Sequence, residues 1–190
     1  MKQLFIGITV LSISLAACNN TDKKTNDTKS DTSKTQQPAA SASTTGTASI
    51  KGIVSGYIQL KNALANDNGK EAANAGKVIS DALQNFDTTA LTLSQKKMVS
   101  DVGDDIKEHA EHIGMNAEKI AHQREHFEML SKDIYDLAKA FPVQQTLYKD
   151  YCPMYNNSKG AIWVSETKEI KNPYLGKEMP TCGEIKEEIK

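Results

Sequence analysis

Residues 117–141 read AEKIAHQREHFEMLSKDIYDLAKAF and indicate a helix that buries one of its faces. Large apolar side chains recur every three or four positions, which is the spacing that places residues on one side of an α-helix. Pro142 follows directly and cannot continue a helix, so it marks the C-terminal end. The predicted inward residues are Ile120, Phe127, Leu130, Ile134, Leu137 and Phe141.

Three upstream segments have the same period and supply apolar partners for this helix. They cover residues 50–65, residues 70–86 and a third stretch that begins after Thr92, with Thr92 or Ser94 as the N-cap. The alanine-rich side of the second segment predicts a close approach to a neighbouring helix. Short connections favour antiparallel neighbours, so we predict an all-α protein with an up-and-down four-helix bundle at residues 49–142. Its inward residues include Ile53, Tyr57, Leu60, Val78, Ile79, Val102, Ile106 and Ile113.

The C-terminal residues 143–190 do not continue the helical period. Prolines and glycines interrupt them every few positions, which disfavours long regular elements. We expect an irregular extension that packs on the bundle as part of one domain, residues 49–190. It would contain at most a short strand or hairpin, with a strand at 161–165 and a frayed helical turn at 184–190.

The first 17 residues have the pattern of a secretory signal peptide. A positive start precedes an apolar run at residues 4–15, and small residues then stand directly before Cys18. This lipobox predicts that Cys18 is lipidated and becomes the first residue of the mature protein. The residue after Cys18 is Asn19, whereas an aspartate at this position would favour retention in the inner membrane. We therefore expect a lipid-anchored protein of the cell envelope, attached to the outer membrane.

The composition of the remaining chain argues against several functions. Residues 18–48 are almost wholly small and polar, which predicts a disordered tether. The net charge is −1 and no basic stripe is present, so nucleic acid is not an expected partner. The sequence contains no nucleophile elbow, no phosphate-binding glycine loop and no plausible pair of acid and base carboxylates. We expect a protein that is not an enzyme.

Two cysteines and two methionines in the C-terminal extension form a candidate metal site. Met154 lies two positions after Cys152, and Met179 lies three positions before Cys182. Thiolate and thioether ligands suit copper(I) and other thiophilic ions. The same cysteines are equally a candidate disulfide, because the envelope is oxidising and Cys18 is used by the lipid. Both interpretations remain open at this point.

The four histidines form a second candidate site. His109 and His112 lie late in the third predicted helix, whereas His122 and His126 lie early in the fourth. An antiparallel hairpin would bring the two pairs together, and four imidazoles with nearby thioethers can bind copper or zinc. The alternative is that four exposed histidines simply lie on polar helix faces. We include His122 and His126 as candidate ligands that would join the tail site.

Motifs in the last seventy residues resemble a bacterial domain family. These are Gln123-Arg124-x-x-Phe127-x-x-Leu130-Ser131, Tyr148, Cys152-Pro153-Met154, Trp163-x-Ser165, Ile170-x-Asn172-Pro173-Tyr174-x-Gly176 and Met179-x-x-Cys182-Gly183. The chain is similar, over residues 50–190, to an uncharacterised domain found in Gram-negative envelope lipoproteins. That domain also occurs fused to periplasmic adaptor subunits of heavy-metal efflux pumps.

The resemblance implies a role in heavy-metal handling, with copper favoured and an efflux adaptor or pump as a partner. It assigns the ligand role to the cysteines and methionines of the tail, and a loop-shaping role to Trp163, Asn172, Pro173, Tyr174 and Gly176. One position departs from the family: Tyr151 stands where members often have histidine. We expect a metal-binding envelope lipoprotein that sequesters copper or delivers it to efflux. The alternative is a structural or interaction module with a Cys152–Cys182 disulfide and no metal.

Overall fold

The structure is a computed structural model that describes residues 49–190. The predicted signal peptide, the lipidation site at Cys18 and the tether to residue 48 lie outside the described residues. Four long helices are followed by a small three-stranded antiparallel sheet. Within residues 49–190, no helix has both the length and the apolar character needed to cross a membrane.

The four long helices begin and end close to the positions predicted from the sequence. The side chain of Asn68 caps the second helix by accepting a hydrogen bond from the Glu71 N–H at 3.1 Å. Thr92 and Gln95 form a reciprocal capping box at the start of the third helix. The helices are α1 (Lys51–Ala65), α2 (Gly69–Gln84), α3 (Leu93–Met115) and α4 (Ile120–Ala140).

Small residues allow α2 to lie close to both α1 and α3. A Cβ atom at Gly56 would come within 2.8 Å of Ile79, and one at Gly76 within 2.6 Å of the Ala110 carbonyl oxygen. Each helix packs against the next one along the chain. The predicted close approach of the alanine-rich face is therefore confirmed. The prediction that Val78 of α2 faces the interior is wrong, because its side chain is 42 % exposed.

A buried tyrosine joins the helices to the sheet. The Tyr57 ring on α1 stacks on Phe127 of α4 with 5.2 Å between ring centroids. Its hydroxyl hydrogen-bonds to the Ser131 hydroxyl at 2.7 Å and accepts the backbone N–H of Val164 at 3.1 Å. All of these side chains are inaccessible to solvent. The phenolic oxygen thus links α1, which carries it, to α4 and to the strand that contains Val164.

The C-terminal part is a sheet, which corrects the prediction of an irregular extension with at most a strand or hairpin. The strand at 161–165 is confirmed, whereas the predicted helical turn at 184–190 is a strand. The central strand pairs antiparallel with both others, and a bulge between Lys149 and Asp150 interrupts the register of one pairing. The strands are β1 (Leu147–Cys152), β2 (Ala161–Ser165) and β3 (Glu184–Ile189), in the order β2-β1-β3.

The long connection between β2 and β3 is fastened to the helices. Arg124 of α4 donates from Nε to the Pro173 carbonyl at 2.8 Å and from Nη2 to Asp67 Oδ1 at 2.6 Å. The other oxygen of Asp67 accepts the backbone N–H of Lys177 at 3.0 Å. Gly176 has a φ of +53°, and any Cβ there would overlap the Asp67 carboxylate. This arrangement agrees with the loop-shaping role that the family resemblance implies.

Two charged groups are buried where α1 meets the sheet. Lys61 is 1 % exposed and donates from Nζ to Glu166 at 2.8 Å. Asp150 on β1 is fully buried, and within residues 49–190 neither of its carboxylate oxygens has a hydrogen-bond partner. Burial raises the pKa of Asp150 to about 6, although the nearby Ser165 hydroxyl and Lys61 ammonium oppose the rise.

We expect an Asp150→Asn substitution to remove one component of the pH dependence of stability, the one that comes from this buried carboxyl group. Between about pH 4 and pH 6 the folded protein holds a proton on Asp150 that the unfolded chain, with a pKa of about 3.9, releases. The contribution of Asp150 to the free energy of unfolding therefore falls as pH rises through this window, by on the order of 1 to 3 kcal/mol. Urea unfolding of the wild type and the variant at a series of pH values measures this contribution as the difference between the two proteins.

The pKa of Asp133 is also raised to about 6, first by burial and then by Asp105 and Asp136. The Asp150→Asn variant should therefore keep the similar contribution of Asp133, and an Asp133→Asn variant serves as the matched control. An Asp150→Asn protein whose stability has the same pH dependence as the wild type between pH 4 and pH 7 would contradict the role of this buried carboxyl group.

Candidate metal centre

The hairpin formed by α3 and α4 gathers all four histidines of the chain into one cluster. We call His109, His112, His122 and His126 the histidine cluster. The ring centroids of His112 and His122 lie 4.5 Å and 4.6 Å from that of His126, and the ring of His109 lies 5.4 Å from it. The structure thus brings together the two pairs that the sequence placed on either side of the turn.

A buried glutamine sets the position of α4 relative to α3. Gln123 is fully buried, and its amide nitrogen donates to the Ile113 carbonyl at 3.1 Å and the Gly69 carbonyl at 2.9 Å. Ile113 directly follows His112, and Gln123 directly follows His122. The hydrogen bond to Ile113 therefore joins the turn of α3 that carries His112 to the turn of α4 that carries His122, and the one to Gly69 ties the same turn of α4 to α2.

Three members of the cluster form a candidate metal-binding group. His112, His122 and His126 each offer one ring nitrogen such that the three atoms lie within 4.8 Å of one another. In the described part of the chain, this is the one set of three or more His, Cys, Asp or Glu residues with ligand atoms so close. From the sequence we expected His122 and His126 among the ligands. His112 is the third member of the group, which we did not include among the expected ligands. Its position one turn before the end of α3, close to the turn into α4, is the feature of the sequence that indicates it.

His122 is arranged as metal-binding histidines usually are. Its Nδ1 atom lies 3.1 Å from the carboxylate of Glu125, one turn further along α4. A carboxylate accepts the Nδ1–H hydrogen bond, which leaves the Nε2 lone pair free for an ion. The His122 side chain is 40 % exposed, so an ion can reach this nitrogen from solvent.

His109 and His126 contact each other through their inner nitrogens. The two Nδ1 atoms lie 3.1 Å apart. Burial lowers the pKa of His126, and the neighbouring imidazoles of the cluster add to this effect. Burial also lowers the pKa of His109, although Glu108 and Asp105 oppose it. Both rings are therefore neutral at neutral pH, and the neutral imidazole is the form that binds metal ions.

The two cysteines of the C-terminal region lie side by side. Cys152 ends β1 and is buried, whereas Cys182 precedes β3 and is partly exposed. Their sulfur atoms are 3.1 Å apart. The hydrogen bond with Cys152, followed by burial, raises the pKa of the Cys182 thiol. This environment favours the protonated thiol. Soft metal ions bind the thiolate, so the environment disfavours metal binding at Cys182.

The methionines that the sequence associated with these cysteines extend into solvent. Met154 is 53 % exposed and Met179 is 36 % exposed. Met115 and Met129, next to the histidine cluster in sequence, are 72 % and 40 % exposed. Neither cysteine belongs to the three-histidine group. Within residues 49–190 the predicted site residues thus fall into two groups, a cysteine pair at the sheet and an imidazole group on the helices.

Comparison with known proteins gives a match that lies in the helical part of the chain. Residues 53–146 match the model of the family described as "Protein of unknown function (DUF3347)". The match begins within α1 and ends just before β1, so it includes the histidine cluster and excludes both cysteines of the sheet. It covers slightly less than half of the 190-residue chain. No curated protein and no solved structure matches the chain.

We expect Cys152 and Cys182 to form a disulfide when the protein is produced in an oxidising compartment. They are 30 positions apart, and closing a loop of that length stabilises the fold by about 3 to 4 kcal/mol. Alkylation with mass measurement, before and after reduction, reports the bond. Denaturant unfolding of the oxidised and reduced forms reports its effect on stability.

A Cys18→Ser background leaves these two cysteines as the only thiols in the chain and serves as the control. If both thiols react with the alkylating agent without prior reduction, the prediction is wrong. Equal unfolding free energies for the oxidised and reduced forms would contradict the expected stabilisation.

Proposed function

We propose that this protein captures copper in the cell envelope through His112, His122 and His126, without catalysing a reaction. The observation that carries the proposal is the convergence of three imidazole nitrogens within 4.8 Å. The hydrogen bond from His122 to Glu125 supports it, because metal-binding histidines usually donate their second ring N–H to such a partner. The ion would be sequestered or passed on to a heavy-metal efflux adaptor or pump.

Copper fits this ligand set better than other common ions. Imidazole nitrogens suit copper and zinc, whereas magnesium and calcium prefer oxygen ligands, and no carboxylate belongs to the group. Among divalent first-row metals, a given nitrogen site generally binds copper most tightly. Zinc is therefore the competitor against which the copper preference must be measured.

The sequence pointed first to a copper(I) site at Cys152, Met154, Met179 and Cys182. The proposal places the ion at the helices instead, because the two thiols lie next to each other and the two thioethers are exposed to solvent. A cysteine pair in this geometry supports the second candidate function, a structural or interaction module stapled by a disulfide. Both roles are compatible in one molecule, since the cysteines do not belong to the histidine group.

The envelope location and the arrangement of the helices are part of the proposal. A lipid on Cys18 and the polar segment to residue 48 would hold residues 49–190 at the outer membrane. An up-and-down bundle would place the α3–α4 turn, and the histidines beside it, at one end of the helices. Contacts between each helix and the next support that arrangement.

We expect the wild-type protein to bind one copper(II) ion at the three-histidine group. Substituting His112, His122 or His126 by Gln removes a ligand. Losing a residue that only hydrogen-bonds to a ligand typically lowers metal affinity roughly 10- to 100-fold, so losing a ligand itself should lower the copper affinity by more than that. Titration against a competing chelator measures the affinity, and zinc added in excess tests the preference for copper.

A Cys152→Ser/Cys182→Ser variant is the matched control, and its copper(II) affinity should equal that of the wild type. If the cysteine variant loses copper while the histidine variants retain it, the ion belongs at the sheet. If copper binds none of these proteins more tightly than free histidine does, the protein is not a copper carrier.

We also expect a Cys18→Ser substitution to release the protein from the membrane. Loss of the thiol removes the site of lipid attachment, so lipid label should no longer be incorporated and the protein should move to the soluble fraction. Cell fractionation with metabolic lipid labelling measures both effects, and Cys182→Ser is the control. Unchanged membrane association of the Cys18→Ser protein would refute the proposed anchor.

A further inference from the structure

The contact between His109 and His126 has room for one proton. Their Nδ1 atoms are 3.1 Å apart, which is a hydrogen-bond distance. Two N–H groups facing each other would clash, and two bare lone pairs would repel. A neutral imidazole carries a proton on one nitrogen and a lone pair on the other. One of these rings must therefore donate from Nδ1, and the other must accept at Nδ1.

We propose that His109 is a positioning residue that accepts a hydrogen bond from Nδ1–H of His126 and directs the Nε2 lone pair of His126 toward the bound ion. This inference rests on the proposed function for the identity of the ion. The hydrogen bond itself exists with or without an ion. His109 is thereby an orienting partner and not a fourth ligand.

The chemistry of a bound imidazole gives the direction of the hydrogen bond. His126 belongs to the group of three converging nitrogens, and its Nδ1 is occupied by the contact with His109. Nε2 is thus the nitrogen of His126 left to bind an ion, which requires the proton to lie on Nδ1. His109 then accepts at Nδ1 and carries its own proton on Nε2. Neither nitrogen of His109 retains a lone pair for a metal.

The same design occurs at the neighbouring ligand. His122 directs Nδ1 to the Glu125 carboxylate at 3.1 Å, as His126 directs Nδ1 to His109 at the same distance. An outer partner of this kind fixes the tautomer and the orientation of a ligating ring. Two of the three proposed ligands thus have their lone pairs aimed by a neighbouring side chain, one through a charged acceptor and one through a neutral acceptor.

Two substitutions separate positioning from ligation. In His109→Asn the side-chain oxygen can accept a hydrogen bond near the place of Nδ1, whereas in His109→Leu no acceptor remains. We expect His109→Leu to bind copper(II) about 10- to 100-fold more weakly than the wild type, and His109→Asn to stay within a few-fold of it. Circular dichroism and thermal unfolding confirm that both variants fold.

Pulsed electron paramagnetic resonance counts the imidazoles on the copper(II) ion. We expect three in the wild type and three in both His109 variants. Four imidazoles in the wild type and three in the variants would make His109 a ligand and overturn the proposal. Equal loss of affinity in His109→Asn and His109→Leu, or no loss in either, would also overturn it.

Nitrogen-15 NMR of the metal-free protein tests the hydrogen bond independently of copper. His126 should carry its proton on Nδ1 and His109 on Nε2, and in His109→Leu the proton of His126 should redistribute toward Nε2. The opposite tautomers in the wild type would overturn the proposal. If the predicted tautomers are present but no copper binds, the proposed function fails while the assignment of the hydrogen bond stands.

Discussion

The amide of Gln123 is the constraint on which the candidate metal centre depends. It lies inside the protein and donates to carbonyl groups at the end of α3 and at the start of α2. Sliding α4 by one turn would leave the amide nitrogen of Gln123 buried without an acceptor, and a buried polar group without a partner costs about 1 to 3 kcal/mol. The histidines lie on the same turns as these hydrogen bonds. A residue that never touches the proposed ion thus decides whether the three imidazoles meet.

Much of the helical region was predictable because local signals agreed with packing. The N-cap predicted at Thr92 and the proline after α4 gave the start of α3 and the end of α4 to within a few residues. The meeting of the histidine pairs followed from their positions near one short turn. Which three rings converge was not predictable, because that depends on the register set by Gln123. Gln123 belongs to a motif that carries the family resemblance, but the polar residues around it do not indicate that its side chain is buried.

The sheet was harder to predict because its strands depend on pairing across the sequence. β3 begins 32 positions after the end of β1 and consists mostly of charged residues. Its sequence, Glu184 to Ile189, suits the exposed edge of a sheet as well as a frayed helix. The many prolines and glycines correctly indicated long connections. They gave no indication that those connections would bring two distant cysteines together.

The segment that matches the family model is shorter than the part of the chain that folds as one compact unit. The match ends at residue 146, yet the hydroxyl of Tyr57 accepts a hydrogen bond from β2 and Lys61 neutralises Glu166 beyond that point. A fragment cut at residue 146 would leave a buried ammonium group without its counter-charge and one face of α4 open to water. The helices and the sheet therefore depend on each other for stability, and residues 49–190 lie within one compact unit.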